Sequence, residues 1–271
     1  MRIGVVAPAR RVDPAAMART QGFAAVAHPD VDLVVHPQCF LSAGHFAGTD
    51  EQRGNAFLEY ANDPAFDAIW FARGGYGSNR ILGAVMPRLN AAARTKTYLG
   101  FSDMGFLLAA LYARRIGRQA HGPMASQVGR EGGNNAAARG LAWLAKRDPR
   151  VLEPGLDGRP AVAFNLVILC ALIGTPWLPD LTDHVLIVEE VGEPLYRIDR
   201  LFFQLAQATQ LKGIAGIRLG AITDVPDNDV EFGEDAAGIA ARWARDMGVP
   251  YLGRAQVGHS RDNTVVPFGL F

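Results

Sequence analysis

The sequence has little cysteine, no long apolar run and no excess charge of either sign, and each absence removes a class of function. Its 271 residues include two cysteines, Cys39 and Cys170, far apart in the chain. That count argues against a disulfide framework, and a metal site built on them would lack partners at ligand spacing, so the cytoplasm is the default compartment. Lys and Arg total 27, as do Asp and Glu. No basic run is long enough to follow a phosphate backbone, which argues against a nucleic-acid partner. No apolar segment reaches the length of a membrane span, and the opening run at residues 3–7 is too short for a signal-peptide core. Residues 224–235 hold six carboxylates. Their spacing does not match a twelve-residue calcium loop, so no metal is expected.

What is present is a compact, layered pattern. Hydrophobic residues make up 49% and charged residues 20%, and the length favours two domains. Strands are predicted at residues 3–7, 31–35, 66–72 and 96–100. Helices are expected from Asp13 through Phe23, after a cap at Thr49 or Asp50, and over residues 81–89, 106–116 and 131–146. This alternation predicts an α/β parallel sheet. The polar, Pro- and Gly-rich residues 149–160 mark a linker between an N-terminal domain at 1–148 and a C-terminal one at 161–271. In the second domain the apolar residues 161–170 read as one face of a helix. A strand beginning near Val185 places Glu189 at its end, a helix starts near Pro194, a strand covers 214–220, and a surface helix covers 236–247.

Two strand ends carry chemistry. Arg73-Gly74-Gly75-Tyr76-Gly77 follows one strand, and Gly100-Phe101-Ser102-Asp103 follows the next, so both loops belong on the carboxyl edge of the sheet, where open α/β folds bind ligands. The glycine turn lacks both the dinucleotide spacing and the lysine of a phosphate loop. It can instead direct a backbone N–H of Gly74 or Gly75 at an oxyanion, or simply start a helix. Ser102 sits where a strand-to-helix turn presents a hydroxyl, although the same position suits a helix N-cap. A hydroxyl nucleophile needs a base, usually imidazole, and the base needs an acceptor that fixes its tautomer. Ser102, Glu189 at a strand end and His259 in a glycine-flanked loop meet those demands, with His121 in a supporting role.

Several motifs in series, Gly48-Thr49-Asp50-Glu51, Asp67-Ala68-Ile69-Trp70-Phe71-Ala72-Arg73-Gly74-Gly75-Tyr76-Gly77, Gly100-Phe101-Ser102-Asp103, His121-Gly122-Pro123-Met124, Glu189-Glu190-Val191-Gly192-Glu193-Pro194 and Gly258-His259, make the chain resemble the serine LD-carboxypeptidase family over nearly its whole length. The resemblance implies a flavodoxin-like parallel-sheet domain, akin to glutamine amidotransferases, followed by a smaller β-rich α/β domain. It implies Ser102 as nucleophile, Glu189 as the acidic member, His259 as general base, and the backbone amides of Gly75 and Asp103 as an oxyanion hole. No metal or organic cofactor is implied, and homodimers are common in the family. The expected reaction is release of terminal D-alanine from cytoplasmic muramyl tetrapeptide during peptidoglycan recycling. A peptidase of the microcin-immunity branch, cleaving a peptide-nucleotide antibiotic, and a silent peptide-binding protein are the alternatives.

Some residues depart from the family pattern. Glu190 stands where Asp is common, Phe164 where a small residue is common, and Met104-Gly105 continues the serine turn in place of Ile-Thr. Phe164 is expected to narrow a pocket or change substrate preference if it lines one, and otherwise to be a compensated packing change. Arg73 and Arg197 are candidates for meeting a terminal carboxylate, since arginine pairs bidentately with that group, although holding a domain surface or a helix end is the first reading for both.

Overall fold

The computed structural model describes residues 1–156 and 158–270. Its first half alternates β1 (Arg2–Val6), α1 (Pro14–Ala27), β2 (Asp32–Val35), α2 (Asp50–Asn62), β3 (Ala68–Phe71), α3 (Leu82–Val85), β4 (Thr97–Gly100), α4 (Gly105–Ala113), β5 (Arg118–His121) and α5 (Gly133–Lys146). The second half runs β6 (Ala161–Asn165), α6 (Leu166–Leu172), β7 (Val185–Val191), α7 (Leu195–Gln207), β8 (Gly216–Thr223), α8 (Ala236–Asp246), β9 (Tyr251–Arg254) and β10 (Val266–Pro267).

Local chemistry explains the element boundaries. Asp13 caps α1, accepting from Ala15 N at 3.2 Å, with Pro14 at the first helical position. Thr49 and Gln52 form a reciprocal capping box on α2. β3 and β4 are buried at every residue, as expected of central parallel strands covered on both faces. The sheet runs β10-β5-β4-β3-β1-β2. All of its pairs are parallel except β10 on β5. A second, four-stranded parallel sheet runs β6-β7-β8-β9.

Two expectations are corrected. The apolar residues 161–170 divide into β6 and a short α6, with Asn165 as the cap accepting from Ile168 N at 3.2 Å. A strand buried on both faces and a buried helix share an unbroken apolar run, and periodicity does not separate them. The helix expected over 81–89 is a single α turn, α3, between 3-10 segments at Ser78–Ile81 and Met86–Arg88. Pro87 interrupts it. Within the tract at 149–160, Asp157 lies outside the described residues, as does the terminal Phe271. Glu153 is buried and accepts from Arg218 Nη2 at 2.9 Å, Gln256 N at 3.0 Å and Thr264 Oγ1 at 2.7 Å.

The two sheets also share material. β10 leaves the second half to pair with β5 through Val266 opposite His121. One apolar core contains Phe106 and Leu107 of α4 together with Phe164 and Leu166 from the second half. The carboxyl ends of β3, β4 and β5 therefore face loops from β7, β8 and β9 across a shared packed seam.

Candidate active site

At the end of β4, Phe101 is extended and Ser102 adopts φ 58°, a left-handed conformation that a non-glycine residue holds only when its surroundings impose it. The neighbouring turn imposes it. The buried Asp103 carboxylate accepts from Gly77 N at 3.2 Å and Ser78 N at 2.9 Å, and Ser78 Oγ donates to Asp103 O at 2.6 Å. Burial raises the Asp103 pKa, against the opposing hydrogen bonds from Ser78 and Gly77 and the charge of Arg53. The glycine turn after β3 and the serine turn after β4 are thus held as one unit. A side chain at Gly74 would place its Cβ 3.0 Å from Ser102 Oγ, so glycine is what allows the two turns to approach. Among the described residues, Ser102 Oγ has no hydrogen-bond partner, and the N–H groups of Gly75 and Asp103 donate to no acceptor.

Opposite this turn, Glu189 lies on β7 beside a register shift between Val188 and Glu190, with no exposed surface. Gly258 makes the close approach to it: at φ 113°, a Cβ there would stand 2.5 Å from Glu189 Cβ and 2.6 Å from Oε2. The chain then presents His259, whose Nδ1 lies 2.7 Å from Glu189 Oε2 and whose backbone N donates to the same oxygen at 3.3 Å. With Nδ1 held by a carboxylate, Nε2 is left as the working nitrogen. Burial lowers the His259 pKa, but the hydrogen bond from Glu189 and the charges of Glu189, Glu190 and Asp224 outweigh it, so the pKa is raised.

Glu190, one residue on, does different work. It accepts from Asn165 Nδ2 at 2.7 Å and Val167 N at 2.8 Å, closing the start of α6. The Phe101 ring lies 4.8 Å from the His259 imidazole and 5.4 Å from that of His121. His121 is buried, neither of its ring nitrogens has a hydrogen-bond partner among the described residues, and burial pushes its pKa down to about 4, with Glu189 opposing and His259 reinforcing that shift.

Ser102, Gly74, Gly75, Arg73 and His259 line one cavity of about 710 Å³ between the two sheets, the size of a small-molecule site. Arg197 and Phe164 are not among its lining residues. Arg197 is half exposed on α7 and paired with Glu193 at 2.8 Å. Phe164 has no exposed surface and packs edge-on against Phe268 at 5.3 Å, beneath α4. It is a core residue and does not narrow the cavity.

Two arginines escape the sequence reading. Arg130 lines the cavity, and its only signal is the Gly132-Gly133 pair that follows it. Arg139 on α5 donates from Nε to Asn263 O at 2.9 Å and from Nη2 to Arg261 O at 2.5 Å, gripping the loop that carries His259. A polar residue on an amphipathic helix gives no sequence signal for such a role. Among the described residues no cluster of His, Cys, Asp and Glu could hold a metal ion, both cysteines are free and buried, and no helix is long and apolar enough to cross a membrane.

The family profile for an LD-carboxypeptidase N-terminal domain matches residues 3–122, and that for an LD-carboxypeptidase C-terminal domain matches residues 160–271. The chain belongs to the LD-carboxypeptidase family. It is a serine carboxypeptidase. The murein tetrapeptide carboxypeptidase of Pseudomonas aeruginosa is 30% identical over 286 residues, covering 99% of this chain and 91% of that protein. Among solved structures, the muramoyltetrapeptide carboxypeptidase from Oxalobacter formigenes superposes with a TM-score of 0.80 at 23% identity, over 98% of this chain and 93% of that one. The microcin C7 self-immunity protein MccF, in complex with aspartyl sulfamoyl adenosine, also gives 0.80, at 18% identity over 99% and 91% of the two chains. At those identities the structural matches establish the shared LD-carboxypeptidase fold.

Proposed function

We propose that this chain hydrolyses the LD-peptide bond before a terminal D-amino acid, and that its substrate is the muramyl tetrapeptide recycled in the cytoplasm. The observation that carries the proposal is the joint placement of Ser102 and His259 on one cavity, with His259 Nδ1 held 2.7 Å from the fully buried Glu189. In this reaction His259 Nε2 takes the hydroxyl proton as Ser102 Oγ bonds to the scissile carbonyl carbon. The carbonyl oxygen becomes an oxyanion facing the unpaired N–H groups of Gly75 and Asp103. Collapse of the intermediate breaks the C–N bond, and His259 returns the proton to the departing amine of the D-amino acid. Water, deprotonated by the same imidazole, then releases the acyl group and restores Ser102. Glu189 remains ionised and holds the tautomer.

The muropeptide reading is favoured over a peptide-nucleotide antibiotic by the cavity wall. Its aromatic rings are Phe101 and the His259 imidazole. Phe101 is 3% exposed and already packed against His121 and His259, so its face is not open to a nucleobase. Incubation with muramyl tetrapeptide, and separately with an aminoacyl sulfamoyl nucleoside, tests the choice. Mass spectrometry should detect D-alanine from the first, and faster turnover of the second would reverse the assignment.

A further inference from the structure

The charges around the cavity are unevenly distributed, although the whole chain is neutral. Four charged residues on its lining make no ion pair with one another. The charge of Arg130 acts on Arg73, that of Asp224 acts on His259, and Asp262 follows His259 in the same loop. The remaining pair on the rim, Arg261 and Glu131, is an ion pair and neutralises itself.

Neither Arg73 nor Arg130 has a carboxylate partner among the described residues. Arg73 donates to the Arg11 carbonyl at 3.4 Å, a long bond that uses one of its five N–H donors. Arg10 adds a third positive charge: its side chain covers Gly75, with Cδ 2.3 Å from where a Cβ would stand. Burial lowers the Arg73 pKa, and the charges of Arg10 and Arg130 lower it further. Like charges gathered without a counter-ion repel one another, and an anionic ligand relieves that repulsion.

Position identifies the anion. Arg73 immediately precedes Gly74, whose α-carbon faces Ser102 Oγ. In a carboxypeptidase substrate the terminal carboxylate lies one residue beyond the scissile carbonyl, and consecutive α-carbons are about 3.8 Å apart. A carbonyl seated at Ser102 therefore keeps the terminal carboxylate within the cavity that Arg73 and Arg130 also line, while Asp224 and Asp262, nearer His259, repel that group.

We propose that Arg73, supported by Arg130, binds the substrate's terminal carboxylate and so restricts this enzyme to cleavage one residue from a free C-terminus. The inference rests on the proposed peptidase activity and adds the group that selects the end of the chain. Charge-assisted, bidentate contact with a carboxylate is the arginine's contribution, and an amide at the same place forfeits it.

The test compares two substrates, muramyl tetrapeptide ending in free D-alanine and the same peptide ending in D-alaninamide. Wild-type enzyme is expected to favour the free acid in kcat/KM by about 10- to 100-fold or more. Arg73→Gln is expected to lower kcat/KM for the acid by a similar factor, chiefly through KM, and to leave the amide nearly unchanged, so the preference collapses. Arg130→Gln should do the same to a smaller degree, and Arg73→Lys should restore part of the preference. Equal cleavage of acid and amide by wild type, or an equal loss on both substrates in Arg73→Gln, overturns the inference while leaving the peptidase reading intact. Failure of folded wild-type enzyme to release the terminal residue from either peptide overturns both.

Discussion

Glu189 holds His259 Nδ1 at 2.7 Å from a position with no solvent exposure. The pair therefore sets both the tautomer and the proton affinity of the imidazole. Because the His259 pKa is raised above its ordinary value of 6.5, kcat/KM should rise with pH through an acid limb centred above 6.5, as the imidazole becomes free to accept a proton. Glu189→Gln removes the charge that raises the pKa. Its acid limb should move to lower pH, and kcat should fall by about 1,000-fold or more. A pH–rate profile of both proteins checks the direction, and a limb that stays in place would separate the carboxylate from the imidazole's titration.

A methyl group at Gly258 has nowhere to go, since its Cβ would lie 2.5 Å from Glu189 Cβ and its backbone has φ 113°. Gly258→Ala should cost about 1–3 kcal/mol of stability. It should also lower kcat, because relief of the clash displaces either the carboxylate or His259. Urea unfolding and steady-state kinetics on one preparation measure both effects.

His121 predicts a pH dependence of stability separate from catalysis. Its folded pKa of about 4 lies below the ordinary 6.5, so between those values the unfolded chain binds the proton more readily. The stabilisation is present above pH 6.5 and is lost as the pH falls from 6.5 towards 4. At 1.36 kcal/mol per pH unit this amounts to about 3 kcal/mol. His121→Gln should show a flatter loss of stability than wild type over that window in urea titrations.

The alternating pattern, the caps at Asp13 and Thr49 and the turn at Ser102 are legible in the sequence because each depends on neighbours within a few residues. Contacts between distant segments are less so. The run at residues 161–170 satisfies both a buried strand and a buried helix. Phe164, judged by type, suggests a pocket wall, yet its burial between α4 and Phe268 depends on how the halves dock. Arg139 carries no local mark, since its partners lie more than 100 residues away, and Arg130 has only the glycine pair after it. The partnership of Glu189 with His259 spans 70 residues, and it is the family resemblance, not spacing, that points to it.

Arg139 offers a test of that docking. Its bonds to the carbonyls of Arg261 and Asn263, with Gly258 N donating to Asn263 Oδ1 at 2.9 Å, brace the loop on both sides of His259. Arg139→Ala should lower kcat by about tenfold or more with a smaller change in KM, because the imidazole loses its fixed position. Arg139→Lys should recover part of the rate. An unchanged kcat alongside lowered stability would reduce the residue to a packing role.

The most direct measurement is D-alanine release from muramyl tetrapeptide by wild-type enzyme and by Ser102→Ala, followed by mass spectrometry, with circular dichroism confirming that both are folded. Wild type should release one D-alanine per peptide, and Ser102→Ala should be slower by at least about 1,000-fold. Release by Ser102→Ala at the wild-type rate, or none from folded wild type, would contradict the assignment of Ser102 and of the reaction respectively.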